Sequence, residues 1–336
     1  MSIQPNEPVT YAEALCLAQS DAMEEDSTIT LLGQDIQAGF PFGATSGLVD
    51  RFGVERVRNT PISEAATMGC GVGLAMMGVR SVVEVDFSGF LLLGMDQLVN
   101  NAARIRYMSG GQIHVPLVVR VGQGPLGGFA AQHSQTQHAF LASVPGLTVV
   151  TPSSPQEAYE AMRWALKQSD PVVVLEDMRL YRLKGEIDKA RSSYGAVPSA
   201  HIQRRGTDLT ILTYGYGVGL AIAASETLSR EGGPDAEVID LRALSPLDVP
   251  TIVESVRKTG RVICLGDDAP MYGVTATLAA LVEAEAGDAL LSGTLQVGSR
   301  FVPTPYSPPL EALVYPTEET VLRAVRTLAG EVFARA

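Results

Sequence analysis

Cysteine is scarce: Cys16, Cys70 and Cys264 are the three in 336 residues, and no short spacing links them. That excludes a disulfide framework and a thiolate zinc site, and it fits a reducing cytosol. Cys70 falls in an uncharged segment and reads as a small core residue. Histidine is equally sparse, with four residues, no HExxH run and no histidine–carboxylate cluster at ligand spacing. The acidic pair in Gly266-Asp267-Asp268-Ala269 invites a magnesium reading but lacks a following asparagine at a suitable spacing. Charged residues make up only 18%, and 25 Lys and Arg stand against 37 Asp and Glu, a net charge of -12. Such a balance argues against nucleic acid as a partner, because phosphate binding needs a basic face. No run approaches about 20 uninterrupted apolar residues, the length of a membrane-spanning helix. Met1–Pro8 is polar, with no apolar signal core expected.

What is present is a globular composition with 46% hydrophobic residues. The length suffices for two domains, and so little charge points to surface covered by another subunit. Short β-branched runs alternate with helical patterns. Strands are expected at Thr28–Leu32, Ser81–Val85, Val115–Val121, Leu147–Thr151 and Val172–Glu176, apolar on both faces as in a parallel sheet covered by helices. Helices are expected at Tyr11–Glu24, Glu64–Met77, Gly94–Tyr107 and Pro155–Lys167, the last opened by a Ser154-Pro155 cap. From about Lys184 to Arg205 the pattern fails, which reads as a surface linker. It resumes with strands at Leu209–Thr213, Glu237–Leu241 and Arg261–Leu265, and helices at Gly219–Arg230, Val249–Lys258, Val274–Glu285 and Glu318–Phe333. Pro303, Pro305, Pro308 and Pro309 mark an extended stretch before that last helix. The fold class is α/β: two doubly wound domains, residues 1–190 with a mostly parallel sheet and a smaller one at 207–336, joined by 191–206.

The run Thr60-Pro61-Ile62-Ser63-Glu64 carries the strongest signal. It sets one carboxylate at the start of a helix, and from Ala65 to Val79 no acid, base or amide side chain follows. Glu64 is either a capping acid favoured by the helix dipole, or a carboxyl expected to be buried and so suited to proton exchange. A glycine-rich loop, Gly122, Gly124, Gly127 and Gly128, follows the third strand and leads to His133. That histidine is either bonded to backbone or catalytic, and it falls at the same sheet edge as Glu64. Phe87 and Phe90 serve the core or stack on a flat ring. Asp96, Asn100, Asn101, Arg104 and Arg106 load one helix with polar groups, as a solvated face or a polar interface. Gly215, Gly217 and Gly219 mimic a dinucleotide fingerprint, but Leu220 replaces its third glycine and only Asp240 stands near the distal acid. A tight strand-to-helix turn is the better reading.

Together the segments resemble the beta subunit of the decarboxylating component of 2-oxo acid dehydrogenases, which include pyruvate, branched-chain and acetoin dehydrogenases within the transketolase-like thiamine diphosphate enzymes. The resemblance spans nearly the whole chain. It rests on Thr60-Pro61-Ile62-Ser63-Glu64, Tyr107-Met108-Ser109-Gly110-Gly111, Ala130-Ala131-Gln132-His133-Ser134-Gln135, Val144-Pro145-Gly146-Leu147, Pro171-Val172-Val173-Val174-Leu175-Glu176 and Val302-Pro303-Thr304-Pro305-Tyr306.

The resemblance implies an N-terminal pyrimidine-binding domain and a C-terminal transketolase-C-like domain. It implies that Glu64 hydrogen-bonds the aminopyrimidine nitrogen of thiamine diphosphate, favouring the tautomer that deprotonates the thiazolium carbon. Phe90 matches the aromatic packed on the pyrimidine, and Leu93 stands where many relatives carry a polar residue beside it. His133 matches the histidine that assists acyl transfer to a lipoyl group. Leu117, Ala165, Leu166, Gln168 and Asp170 match a monovalent cation (K+) site of some relatives. The Gly-Asp-Gly motif that binds Mg2+ and the diphosphate is absent, and in this family it lies on an alpha subunit. The expected assembly is a heterotetramer of two alpha and two beta chains, with a lipoylated acyltransferase core as a further partner and a cytoplasmic setting. Gln34 and Asn59 stand where relatives usually carry acids. These departures bear on substrate and acceptor, so a split transketolase-like or acyloin-forming enzyme stays open, as does a non-catalytic scaffold subunit.

Overall fold

A computed structural model of the chain describes residues 7–333, so most of the polar stretch Met1–Pro8 lies outside the described residues. Contacts divide the chain into two units. One comprises residues up to Leu126 together with Gln132–Ala196, and the other Gly127–Ala131 together with the residues from Val197 onward.

The first unit is built on β1 (Thr30–Gly33), β2 (Val57–Asn59), β3 (Ser81–Val85), β4 (Leu117–Gln123), β5 (Thr148–Val150) and β6 (Val172–Asp177). Every pairing among them is parallel, in the order β5-β6-β4-β3-β1-β2. The long helices are α1 (Tyr11–Glu25), α2 (Glu64–Met76) and α3 (Pro155–Ala165). Successive strand residues face opposite ways, and that separates the helices into two layers. On one face Ser81 Oγ donates to Gly71 O of α2 at 2.7 Å, and a Cβ on Gly71 would meet Val83. On the other face lie Glu84 and Arg120, whose charges act on Cys16 of α1. Helix α1 packs along α3. Thr10 caps α1 reciprocally with Glu13, and Ser154 Oγ accepts from Glu157 N at 3.2 Å at the start of α3, as Ser154-Pro155 foretold.

The second unit holds β7 (His201–Arg204), β8 (Leu209–Thr213), α4 (Tyr216–Glu231), β9 (Ala236–Asp240), α5 (Val249–Thr259), β10 (Val262–Leu265), α6 (Val274–Ala286), β11 (Leu295–Val297) and α7 (Glu318–Phe333). Its sheet runs β11-β10-β8-β9-β7, parallel except for the antiparallel edge strand β7. Ile211 joins the core under α4 and α7, while its neighbour Thr210 turns to Ser255 and Thr259 of α5 at 2.7 Å each. Gly215 adopts φ 53° at the head of α4, so the glycines there make the strand-to-helix turn. Gly127 and Gly128 donate their N–H groups to the buried Glu311 carboxylate at 2.9 and 2.7 Å.

Three expectations are corrected. The helix expected at Gly94–Tyr107 is broken into a 3-10 turn (Leu92–Gly94), a π-helix (Asp96–Ala102) and a short helix (Ile105–Met108). Asp96 drives competition there: its carboxylate accepts from Asn100 Nδ2 at 2.7 Å and its carbonyl from Asn101 Nδ2 at 3.3 Å. The segment from Lys184 to Arg205 is not all linker, since Lys184–Gly185 pairs with Val9–Thr10 and β7 closes a sheet edge. Cys70 is exposed rather than core, because α2 buries only the face with Thr67, Met68, Gly71, Val72 and Ala75.

Candidate active site

The strand order fixes where a ligand can dock. From β1 the chain steps to the edge strand β2 and then returns to β3 on the other side of β1, so the connections leaving β1 and β3 diverge. Such a reversal opens a crevice beyond the carboxyl ends of the strands. A cavity of about 550 Å³ lies there. Its walls come from strand ends: Gln34 follows β1, Thr60-Pro61-Ile62-Ser63-Glu64 follows β2, Asp86 and Phe87 follow β3, and His133 lies on the connection after β4.

Glu64 opens α2 and is half-buried with its side chain on the cavity. Its surroundings are less enclosed than the uncharged segment suggests, since Ala65 and Ala66 beside it are exposed. Ser63 makes no side-chain cap, and Thr67 N instead reaches Ser63 O at 2.9 Å. Gly94 brings the segment after β3 against this helix start: a Cβ there would lie 3.1 Å from Met68 Cβ and 3.3 Å from Glu64 O. Leu93, the residue before it, is an exposed apolar side chain on the cavity wall.

Three rings pack edge to face along one wall. The His133 ring lies 4.6 Å from Phe87 and 5.2 Å from Phe90, at 82° and 85°, and the two phenyl rings are 6.2 Å apart. The His133 segment is tied to β3 and β4 by Ser88 Oγ donating to Gln135 O at 2.7 Å and Gly124 N donating to the same carbonyl at 3.1 Å. Glu64, the pair Phe90 and Leu93, and His133 come from three separate stretches of sequence and share one cavity.

The carboxyls of β3 carry no motif that marks them in the sequence. Glu84 and Asp86 both line the cavity. Burial pushes Glu84 up, with Arg120 opposing and Glu176 adding to it. Asp86 is pushed up to about 7 by burial first and then by the charges of Glu84, Asp35 and Glu64. Its Oδ1 is buried and lacks a hydrogen-bond partner among the described residues. The available signal was an acid ending an apolar parallel strand beside the strand-order reversal. Beneath the cavity Arg120 makes a bidentate pair with Glu176, at 2.7 and 2.9 Å, and also pairs with Glu84.

The positions matched to a monovalent cation lie elsewhere. Leu117 starts β4, Ala165 ends α3, and Leu166, Gln168 and Asp170 follow it. Arg80 Nη1 donates to Leu166 O at 3.0 Å and to Gln168 O at 2.7 Å, while the Asp170 carboxylate pairs with Arg106. The donors fit a cation in kind, being mostly carbonyl oxygens, yet a guanidinium already draws on two of them. No cluster of three or more His, Cys, Asp or Glu residues suited to a metal ion occurs among the described residues.

The arrangement matches the transketolase pyrimidine-binding domain over residues 7–184 and the transketolase C-terminal domain over residues 199–321. The beta-1 subunit of the mitochondrial pyruvate dehydrogenase E1 component of Arabidopsis thaliana is 40% identical over 94% of this chain and 88% of its own length. This chain belongs to the 2-oxo acid dehydrogenase beta-subunit family. The family is one of thiamine diphosphate enzymes, and as one of its beta subunits this chain is part of an oxidoreductase. Two Bacillus subtilis members, the beta subunits of 2-oxoisovalerate dehydrogenase and of acetoin:2,6-dichlorophenolindophenol oxidoreductase, are each 36% identical over 96% of this chain and 98% of their own length. Among solved structures, a split-gene transketolase described as an inactive beta4 tetramer superposes with a TM-score of 0.76 at 20% identity, covering 96% of this chain and 98% of its own. A transketolase from Leishmania mexicana gives 0.74 at 19%, covering 98% of this chain and 47% of its own. At such identities these two establish the shared fold. Among the described residues of this beta subunit no helix is long and apolar enough to cross a membrane.

Proposed function

We propose that this beta subunit, together with an alpha subunit, decarboxylates a 2-oxo acid and passes the acyl group to a lipoyl carrier. The observation that carries this reading is the convergence of Glu64, Phe90 and His133 on one cavity at the strand-order reversal. The cavity fits an aminopyrimidine: it has ring-lined and apolar walls, a carboxylate at a helix start, and an unsatisfied carboxyl oxygen on Asp86. Thiamine diphosphate, when bound, supplies the carbanion chemistry and the electron sink for decarboxylation. Glu64 holds the ring nitrogen through a carboxyl hydrogen bond and exchanges a proton there. Phe90 and Leu93 give the ring its apolar bed and exclude water. His133, oriented by the edges of Phe87 and Phe90, stands ready to move a proton during acyl transfer.

Mg2+ and the diphosphate are assigned to the alpha subunit, since this chain has no Gly-Asp-Gly motif. K+ is assigned to Leu117, Ala165, Leu166, Gln168 and Asp170, where it would share two carbonyls with Arg80. An assembly of two alpha and two beta chains is supported by the uncharged exposed face of α2, which carries Ala65, Ala66, Cys70, Gly73 and Met76 and continues to Met77, 84% exposed. A cytoplasmic setting and docking to a lipoylated acyltransferase core complete the proposal. The same reading divides the chain into domains at 1–190 and 207–336, with the joining residues 191–206 contributing β7 to the second sheet.

The test is the reconstituted alpha–beta enzyme with a lipoyl domain or an aldehyde as acceptor. Acylation of the lipoyl domain, with Glu64→Gln lowering turnover at least 10²-fold in an intact assembly, is the expected result. A new carbon–carbon bond with the aldehyde alone would favour the acyloin-forming reading. Unchanged turnover in Glu64→Gln would favour a scaffold.

A further inference from the structure

The cavity holds more than one acid. Glu64, Glu84 and Asp86 all line it. Glu84 has a partner, Arg120, which also binds Glu176. Asp86 differs. It sits one residue beyond the end of β3, and its buried Oδ1 has no hydrogen-bond partner among the described residues. An ionised carboxylate left in that position would stand next to three like charges with Arg120 as the one cation opposing them.

We infer that Asp86 is a second proton-bearing carboxyl of the pyrimidine pocket, partly protonated in the resting protein and driven to its neutral form by an arriving ring. This rests on the proposed function, in that the ring is the aminopyrimidine of thiamine diphosphate. The charged groups acting on Asp86 are Glu84 on its own strand, Asp35 after β1, Glu64 on α2, all negative, and Arg120 on β4 as the one cation among them. His133 on the cavity wall is the remaining titratable neighbour. Burial raises Asp86 to about 7, so close to neutral pH the group changes charge. A flat ring pressed onto the cavity removes further water from the carboxyl, and desolvation favours its neutral form. Above pH 7, binding therefore draws one proton from solvent onto the Asp86 carboxyl. The repulsion between Asp86 and Glu64 is mutual, so a neutral Asp86 removes one like charge from beside the carboxyl that meets the ring. Asp86 is in this sense a positioning residue: it acts on the ring through the charge state it imposes on the pocket.

Two measurements test this. Infrared titration of the chain alone follows the C=O stretch of protonated carboxyls from pH 5 to 9. A band lost with a midpoint near 7 in the wild type and missing in Asp86→Asn is expected, and a wild-type band unchanged by the substitution overturns the inference. In the second, thiamine diphosphate and Mg2+ are titrated calorimetrically into the reconstituted complex in buffers of different ionisation enthalpy. Proton uptake above pH 7, with affinity falling by up to about tenfold per pH unit in the wild type and flat in Asp86→Asn, is expected from linkage. The same uptake in both proteins overturns the inference. Glu64→Gln separates the two levels: unchanged affinity and uptake in that variant would sink the pocket assignment, whereas its loss of affinity beside an unaltered Asp86→Asn would sink only the role of Asp86.

Discussion

Replacing Arg120 with methionine probes the polar core beneath the cavity. Arg120 is 1% exposed in the middle of a parallel sheet. Burial works against its charge, yet Glu176 and Glu84 outweigh that and hold the guanidinium above its usual pKa. Tyr181 adds a hydrogen bond to Glu176 Oε2 at 2.8 Å. Removing the cation leaves two buried carboxylates facing one another, which costs about 3–5 kcal/mol. A unit of this size loses about 2–4 °C in Tm per kcal/mol, so a fall of about 6–20 °C at pH 7 is expected. The loss depends on pH in a definite direction. The folded-state pKa of Glu84 is already raised, so its contribution is present below the usual carboxylate range and is lost as pH rises through the raised value. Without Arg120 the Glu84 carboxyl takes its proton more readily still, so the deficit shrinks toward pH 5 and widens toward pH 8. Thermal unfolding followed by circular dichroism across that range is the assay. Adding Glu84→Gln and Glu176→Gln to Arg120→Met removes the facing charges and restores most of the Tm. A deficit of under about 2 °C, constant with pH, would show that the two carboxylates do not depend on Arg120.

Two further outcomes follow from the same geometry. Arg80→Met frees the Leu166 and Gln168 carbonyls and breaks the 3.2 Å pair with Asp26, so it should lower stability by about 1–3 kcal/mol and make Tm depend more steeply on K+ than in the wild type; identical salt profiles in thermal melts would contradict this. Cys70 is exposed on the uncharged face of α2, whereas burial pushes Cys264 up to about 12 and Cys16 up to about 11. A thiol reagent should label Cys70 first in the isolated chain, and assembly with the alpha subunit should slow that reaction; labelling at an unchanged rate would place the subunit contact elsewhere.

The parallel sheets were legible because buried strands are continuous apolar runs: Ser81–Val85 and Leu209–Thr213 have the bounds read from sequence. Strands β2 and β11 are three residues each, and β2 carries exposed Arg58 and Asn59, so no run marked them. The edge strand β7, polar and half-exposed, passed for linker for the same reason. The break in Gly94–Tyr107 was invisible to periodicity because it arises from side-chain bonds of Asp96 to Asn100 and Asn101. Of the site, Glu64 and His133 stood out by their neighbours and Phe90 by the family motif. Asp86 did not, since an acid at a strand end reads as solvated until the neighbouring strands bury it. The exposure of Cys70 was equally hidden: an uncharged helix looks like core whether its second face meets the same chain or another subunit.

The proposed function depends above all on Glu64 meeting the ring nitrogen of an aminopyrimidine inside this cavity. A crystal structure of the chain with its alpha subunit, thiamine diphosphate and Mg2+ measures that contact directly. A Glu64 carboxyl oxygen within hydrogen-bond distance of the ring nitrogen, with Phe90 packed on the ring, is expected. A cofactor seated away from Glu64, with the cavity beyond β1 and β3 left to solvent, would contradict it.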